Sequence, residues 1–169
     1  MIAQFLIVAL LPLLLAVAAA WDLASFTIPN LLQGMLLAAF LAFAMAAGFT
    51  PAELGAHALA GLIGLVAGFA LFARGLIGGG DAKLFTMAAL WFGFHDLLSY
   101  ALLVSLFGGA LTLSLLTMRQ VPLPAALARQ DWILRLHDEK AGIPYGVALA
   151  AAAFYLLPYS AIFQMAAAA

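Results

Sequence analysis

The sequence predicts an all-α, polytopic integral membrane protein with six transmembrane helices and one short amphipathic helix on the cytoplasmic surface. Three observations support this fold class. The 169 residues are 68% hydrophobic and 8% charged, with a mean hydropathy of +1.20. A water-soluble domain carries about 25% charged residues, so most of this chain must face lipid or another helix. Several apolar runs reach the roughly 20 residues that cross a bilayer. We expect residues 1–169 to form a single membrane domain.

The composition also argues against several functional classes. The net charge is −1, so there is no basic field that would attract nucleic acid. The chain has no cysteine, and this excludes disulfides, thiolate nucleophiles and Cys-ligated zinc. Its three histidines are well separated along the chain. We therefore expect neither a metal nor a cofactor.

The first apolar run extends from Ile2 to Trp21. Its small-residue end, at 18–20, would fit a signal-peptide cleavage site, but the usual positively charged beginning is missing. The run is also long enough to span a bilayer. We therefore expect a retained first helix that ends at Trp21, an interface anchor, with Asp22 directly after it.

The next two helices follow short links. The second helix begins near Thr27 and Pro29, which favour helix starts, and ends near Gly48. The third runs from Glu53 to Phe72, with Thr50 as a plausible N-cap. Small residues recur along it at four-residue intervals: Ala60, Gly64 and Gly68. This row predicts a face against which another helix packs closely, within the chain or between chains.

A polar segment, Gly-Gly-Gly-Asp-Ala-Lys at 78–83, separates the third helix from the fourth. The apolar residues that follow, 84–94, would rise only about 16 Å as a helix, against about 30 Å of hydrocarbon. The run at 97–118 is full length. If the two form a hairpin, Asp81 lies below the membrane boundary, where irregular backbone survives only beside a wet cavity or buried in protein. The polar pair at 95–96 is expected to be a loop on the opposite side.

The last part of the chain contains the only extended polar stretch, 119–142. Within it, residues 125–140 mix apolar and charged side chains, a pattern typical of a short amphipathic helix lying on the membrane surface. Pro144 and Gly146 begin the sixth span, which continues to about Gln164.

The basic residues predict the orientation. Because successive helices cross the membrane in opposite directions, every second link lies on the same side. All six Lys and Arg residues lie in links on one side: Arg74, Lys83, Arg119, Arg129, Arg135 and Lys140. By the positive-inside rule these links are cytoplasmic and both termini are outside. Asp22 and Asp81 then share the cytoplasmic side.

Asp22 and Asp81 are candidates for shared chemistry, because carboxylates at membrane depth are costly unless they are used or neutralised. Two carboxyl groups a few ångströms apart hold one proton between them. The ionised member can take a proton from water while the protonated one polarises a carbonyl. That is the chemistry of an aspartic protease. Glycines before Asp81 would let substrate backbone approach and would allow unusual dihedrals.

The residues alone leave other interpretations open. Asp22 is equally consistent with a helix-end residue that faces lipid headgroups, and Asp81 with an anionic cap of the fourth helix. Lys83 is equally consistent with contact to an acidic group of a substrate, with stabilisation of the Asp81 carboxylate, or with a side chain that snorkels to headgroups.

Three segments resemble the type IV prepilin peptidases, membrane aspartic proteases of the GxGD class. Segment 78–83 resembles the G-x-G-D-x-K motif, and Asp22 followed by Ile-Pro-Asn at 28–30 resembles the first motif. Segment 143–148 resembles the start of the last conserved helix. The resemblance implies that Asp22 and Asp81 are catalytic, and that Gly78, Gly80 and Lys83 belong to the substrate or active-site loop.

The same resemblance implies an activity and a location. Such enzymes remove the short basic leader of prepilins at the cytoplasmic face of the inner membrane of a prokaryote. The chain resembles the small members that serve Flp-type (tight adherence) pili, with prepilin-like proteins as substrates and the pilus assembly machinery as a further partner. Larger members carry paired CxxC motifs and methylate the new pilin N-terminus. Because this chain has no cysteine, that methyltransferase activity is not expected.

Two functions from other classes also fit the composition. A small ion- or proton-coupled transporter would use intramembrane carboxylates and a glycine-broken helix as well. It predicts inverted internal repeats, and no convincing repeat relates the two halves of the sequence. A passive subunit of a secretion machine would use the carboxylates only as interface residues.

Overall fold

The computed structural model describes residues 1–124 and 127–168, and every regular element within them is a helix. The first four are long. Helix α1 is Ile2–Ser25 and widens into a π-helix at Leu6–Leu10. Helix α2 is Asn30–Ala46, α3 is Pro51–Ala73 and α4 is Gly79–Arg119. The predicted all-α class is confirmed for the described residues.

The remaining helices are shorter. A 3-10 turn at Leu127–Arg129 precedes α5, Asp131–His137. Helix α6 is Tyr145–Leu156, and a 3-10 turn at Leu157–Tyr159 leads into α7, Ala161–Ala168.

Helix α4 reverses direction at Gly93, whose φ of 64° and ψ of −174° are not helical. The rings of Phe85 and Tyr100 stack with their centroids 5.6 Å apart, whereas fifteen residues of straight helix would separate them by about 22 Å. The two arms, 79–92 and 94–119, therefore form the predicted hairpin. Glycine is required at the bend, because a β-carbon on Gly93 would lie 2.8 Å from Cε1 of His57.

The small-residue row of α3 packs against the first arm of α4. A β-carbon on Gly64 would lie 2.7 Å from Cβ of Ala89, and one on Gly68 would lie 3.1 Å from the carbonyl oxygen of Ala82. The predicted packing face is confirmed, and its partner belongs to the same chain.

Helix α2 fixes the other side of this arm. The indole N–H of Trp91 donates to the carbonyl oxygen of Leu36 at 3.1 Å, and the rings of Phe40 and Phe43 each lie 5.6 Å from that of Trp91. These side chains are all buried. The first arm of α4 is thus held between α2 and α3, and Asp81 near its beginning has a rigid support.

Within the described residues, three helices are long and apolar enough to cross a membrane: Ile2–Ser25, Pro51–Ala73 and Gly79–Arg119. A fourth is added if Tyr145–Tyr159 and Ala161–Ala167, bent by 49°, count as one span. The protein is therefore membrane-embedded. The count of six spans stays a prediction. It requires α2, a shorter apolar helix, to cross the membrane, and it requires each arm of the α4 hairpin to cross separately.

Some predicted boundaries are wrong. Helix α1 continues past Trp21 to Ser25, so Asp22 lies within the helix rather than after it. The chain leaves this helix at Phe26, which has a φ of 56°. The predicted surface helix at 125–140 is reduced to α5, and Ala125 and Ala126 lie outside the described residues. Its position on the membrane surface stays a prediction.

Candidate active site

The glycine segment before Asp81 is mostly helical. Gly78 is the N-cap of α4, and Gly79, Gly80 and Asp81 form its first turn. The Gly78 N–H donates to Oδ2 of Asp81 at 3.1 Å, which satisfies one of the free N–H groups at the helix start. The prediction of irregular backbone here is therefore wrong, and Asp81 caps the helix, as one of the open interpretations expected.

The glycines provide space rather than unusual dihedrals. Among the described residues, the glycines with positive φ are at 48, 75 and 93. A β-carbon on Gly78 would lie 2.9 Å from Oδ2 of Asp81, and one on Gly80 would lie 3.2 Å from the backbone nitrogen of Ile28. The close neighbours are thus this chain's own carboxylate and its own link between α1 and α2. The expected approach of substrate backbone at Gly78 and Gly80 stays a prediction.

Asp22 points into the protein and not toward headgroups, because only 3% of its surface is exposed. Its Oδ2 accepts the backbone N–H of Gly146 at 2.7 Å, across 124 positions of sequence. Gly146 lies in the first turn of α6, where N–H groups have no partner within the helix. Asp22 therefore caps α6 from the side of α1.

The backbone before Gly146 explains why its N–H is free to donate to Asp22. The Tyr145 N–H donates to Ile143 O at 2.9 Å, and the Val147 N–H donates to Pro144 O at 3.2 Å. Pro144, with φ −75° and ψ 81°, has the conformation of an inverse γ-turn. Only the N–H between these two bonds is left to donate to Asp22.

Gly146 itself is the functional candidate that sequence reasoning missed. A β-carbon there would lie 2.8 Å from Oδ2 of Asp22, so no other residue fits without movement. The available signal was the Pro-Tyr-Gly sequence at the start of the last long helix, in segment 143–148.

The two predicted carboxyl groups are brought together. Asp81 is near enough to Asp22 for their charges to interact, and the Gly146 N–H donates to Asp22. Asp81 is 7% exposed. Its Oδ1 atom is buried and has no hydrogen-bond partner among residues 1–124 and 127–168. A buried polar atom without a partner costs about 1–3 kcal/mol, and in a native structure it requires an explanation.

Asp81 also lines a groove of about 530 Å³ between α3, both arms of α4 and α6. The walls are largely apolar and include Leu71, Leu76, Ile77, Phe85, Val104 and Leu149. Asp22 does not line this groove and lies behind the first turn of α6. The two carboxyl groups thus differ in access to the groove.

Lys83 forms a structural contact. Its exposed Nζ donates to Oδ1 of Asn30 at 2.8 Å. Over the described part of the chain, the single ion pair joins His95 to Asp96, so Lys83 does not contact Asp81 directly. The idea that a direct Lys83 contact stabilises the Asp81 carboxylate is wrong.

The three sequence segments that carried the family resemblance are in contact with one another. Gly80 and Lys83 meet Ile28 and Asn30, so the second motif packs on the first. Gly146, from the third segment, donates to Asp22.

The predicted loop at the polar pair 95–96 is wrong. Both residues lie in α4, and Asp96 is 5% exposed. Its Oδ2 accepts the Ala161 N–H at 2.8 Å, and its Oδ1 is 2.9 Å from Nδ1 of His95. Asp96 thus caps α7 at the other end of the molecule, a contact that depends on a residue 65 positions away.

Within the described residues, no group of three or more His, Asp or Glu side chains could hold a metal ion. The chemistry that the site itself offers is that of two adjacent buried carboxyl groups beside an apolar groove.

No curated protein and no solved structure gives a significant match to the chain. The family model described as "Type IV leader peptidase family" matches residues 9–113, more than half of the sequence. The match includes Asp22 and Asp81 and ends before Gly146. The predicted resemblance to prepilin peptidases is confirmed, and the chain belongs to the type IV leader peptidase family.

Proposed function

We propose that this protein is an aspartic endopeptidase that removes the leader peptide from type IV or Flp prepilin-like substrates, with Asp22 and Asp81 as its catalytic pair. Membership of the family implies a leader-peptidase type of protease in general. The observation that carries the aspartic mechanism is the burial of two carboxyl groups, Asp22 and Asp81, within range for their charges to interact.

In the proposed mechanism the pair holds one proton, because two adjacent buried carboxylates repel each other. The ionised carboxylate takes a proton from water as the water oxygen bonds to the scissile carbonyl carbon. The protonated carboxyl group donates a hydrogen bond to the carbonyl oxygen. A proton then passes to the leaving nitrogen as the carbon–nitrogen bond breaks.

The different surroundings of the two carboxyl groups support a division of roles. Each carboxyl group accepts one backbone N–H, and the bond to Asp22 is the shorter, 2.7 Å against 3.1 Å for Asp81. Such a bond stabilises a carboxylate, and this suits Asp22 to the part of the base. Asp81 lines the groove and has an oxygen without a partner among the described residues, which suits it to contact the substrate carbonyl. In this proposal the substrate reaches Asp81 first, and the water lies between the two side chains.

The groove supports a substrate with an apolar segment close to the cleaved bond. Its walls offer little polar surface beyond Asp81, Ser105 and Tyr145, and an apolar helix would be stabilised there by burial. A prepilin has such a helix directly after its leader, as the family resemblance implies. In this arrangement the groove takes the apolar helix, and the basic leader extends away from it on the cytoplasmic side.

We further propose six membrane crossings within one domain, residues 1–169, with both termini outside and the site on the cytoplasmic side of a prokaryotic inner membrane. The support is that all six Lys and Arg residues lie at 74–83 and 119–142, in two of the three links on that side. Helix α2 and residues 79–92 would rise only about 26 and 21 Å, so the site would be recessed below the cytoplasmic surface. The pilus assembly machinery is the proposed further partner, and methylation of the pilin is not part of the proposed activity.

The test is co-expression with a prepilin of the Flp or type IV class and detection of leader removal by gel shift. Asp22→Asn and Asp81→Asn are each expected to lower the cleavage rate by about 10²–10⁴-fold, the usual contribution of acid–base groups. Asp131→Asn is the matched control, because Asp131 is exposed on α5.

Two outcomes contradict the proposal. Normal cleavage by either Asp22→Asn or Asp81→Asn would rule out the catalytic pair. If the wild type cleaves no prepilin while the same substitutions change proton or ion flux across proteoliposomes, the protein is a transporter.

A further inference from the structure

Arg119, the last residue of α4, is a buried cation that the proposed catalytic chemistry does not use. It is 8% exposed. No carboxylate pairs with it in the part of the chain that the structure describes, where the one ion pair is His95–Asp96. Buried charges are normally paired, so the contacts that replace a carboxylate here are informative.

The Arg119 guanidinium donates to two backbone carbonyls from different parts of the cytoplasmic link. Its Nε–H donates to Leu136 O, in α5, at 2.8 Å. Its Nη2–H donates to Gly142 O, directly before segment 143–148, at 2.9 Å. Since the guanidinium is planar and its donors have a fixed geometry, Arg119 sets the positions of both carbonyls relative to the end of α4.

The contact with Gly142 acts on the backbone that reaches the site. Only three residues separate Gly142 from Gly146, and the inverse γ-turn at Pro144 makes this connection stiff. A shift of Gly142 therefore moves the Gly146 N–H. At Gly146 there is little tolerance, because its backbone already lies against the Asp22 carboxyl group.

The contact with Leu136 also connects Arg119 to the surroundings of Asp22. Leu136 is buried, and from the same helix Nη1 of Arg135 donates to Ala24 O at 3.2 Å. Ala24 lies in α1, two residues after Asp22. Helix α5 is thus attached to the end of α4 and to the helix that carries Asp22.

From these contacts we infer that Arg119 is a positioning residue for the proposed peptidase, and this inference rests on that proposed function. It holds Leu136 and Gly142 so that the Gly146 N–H stays on Asp22, and it contacts no substrate. Removal of its donors is expected to lower kcat, because a displacement of about 1 Å in a catalytic site reduces the rate by up to about 100-fold. KM is expected to stay unchanged, since Arg119 does not line the groove.

The experiment compares Arg119→Met and Arg119→Lys with Arg129→Met, a control that removes one exposed positive charge from the same link. Prepilin cleavage gives kcat and KM, and hydrogen exchange is followed on peptides that cover residues 142–149. Arg119→Met is expected to lower kcat about 10- to 100-fold with unchanged KM and to accelerate exchange at 142–149. Arg119→Lys, which keeps the charge and can donate to at least one carbonyl, is expected to be intermediate. Arg129→Met is expected to behave as the wild type.

A double substitution separates positioning from general stability. In a Gly146→Ala background the Asp22 contact is already disturbed, so Arg119→Met should lower kcat by much less than it does alone. Full additivity of the two effects, or equal losses in kcat and detergent stability for both Arg119 variants, would overturn the inference.

The result also separates this inference from the proposed function. Absence of prepilin cleavage by the wild type would refute the peptidase, while hydrogen exchange at 142–149 would still test the Arg119 contact. If the wild type cleaves and Arg119→Met matches it in both kcat and exchange, the positioning role is wrong and the peptidase stands.

Discussion

Two buried aspartates of this protein perform the same structural task at opposite ends of the molecule. Asp22 accepts the N–H of Gly146 at the start of α6, at 2.7 Å, and Asp96 accepts the N–H of Ala161 at the start of α7, at 2.8 Å. Both side chains are at most 5% exposed. By burial and capping alone, the two positions look equivalent.

They differ in what surrounds the second carboxylate oxygen. Asp96 has an exposed histidine, His95, 2.9 Å from its Oδ1, so its charge has an available counter-charge. Asp22 has a second buried carboxyl group, Asp81, in interaction range and an apolar groove beyond it. The comparison teaches that a buried helix cap becomes a candidate catalytic group only when a second titratable group and a ligand-sized space adjoin it.

The residues that receive the two caps also differ. Ala161 carries a β-carbon, whereas one on Gly146 would lie 2.8 Å from Oδ2 and 2.9 Å from Cβ of Asp22. Helix α6 therefore comes closer to its capping aspartate than an alanine would allow. We attribute this closeness to the need to bring Asp22, Asp81 and the groove to one place.

Outside the proposed catalytic pair, the largest effect on this comparison is expected from Gly146→Ala. The new methyl group must displace Asp22 or the start of α6, so we expect leader cleavage to fall by about 100-fold. Measurement of cleavage with purified protein in detergent tests this. Gly34→Ala is the matched control, because a β-carbon on Gly34 has nothing within 4 Å and alanine favours the helix by about 1 kcal/mol. Equal rates for Gly146→Ala and the wild type would mean that the Asp22–Gly146 contact has no part in catalysis.

A smaller effect is expected from Asp96→Ala, which removes the cap of α7. Loss of a helix N-cap lowers stability by about 0.5–2 kcal/mol, so thermal unfolding in detergent should shift to lower temperature. The cleavage rate of the folded protein should remain that of the wild type, because Asp96 does not line the groove. A large loss of kcat without loss of stability would show that the two caps are not functionally different.

The smallest effect is expected from Lys83→Met. This change removes one exposed hydrogen bond, that from Lys83 to Asn30, worth about 1 kcal/mol or less. Cleavage measured over a range of prepilin concentrations should give kcat and KM within a fewfold of wild type. A loss as large as that expected for Gly146→Ala would reassign Lys83 to direct substrate contact.

The sequence was informative where the signal is local. The apolar runs predicted the helices, the four-residue spacing at 60–68 predicted a close packing face, and the glycine segment marked Asp81. The start of α4 was misplaced, because three successive glycines have low helix propensity. In the structure that start is stabilised by the Asp81 cap and by contact with Ile28, which propensity does not include.

What could not be predicted depends on pairs that are distant in the chain. The sequence predicts a loop at Asp96, because nothing local to it indicates that it caps a helix at Ala161, 65 positions away. The role of Gly146 is hard to predict, since it depends on a backbone N–H and on the absence of a side chain. Its partner Asp22 is also 124 positions away. Composition and periodicity describe which face of a helix is apolar, but not which helix end meets which carboxylate.

The most direct test of the account compares one substitution at the two equivalent caps, Asp22→Asn and Asp96→Asn. An asparagine oxygen still accepts the backbone N–H at each helix start, so both variants should fold. The measurement is the rate of prepilin leader removal. We predict a wild-type rate for Asp96→Asn and a loss of about 10²–10⁴-fold for Asp22→Asn. Equal rates for the two variants would contradict the claim that Asp22, paired with Asp81, is catalytic.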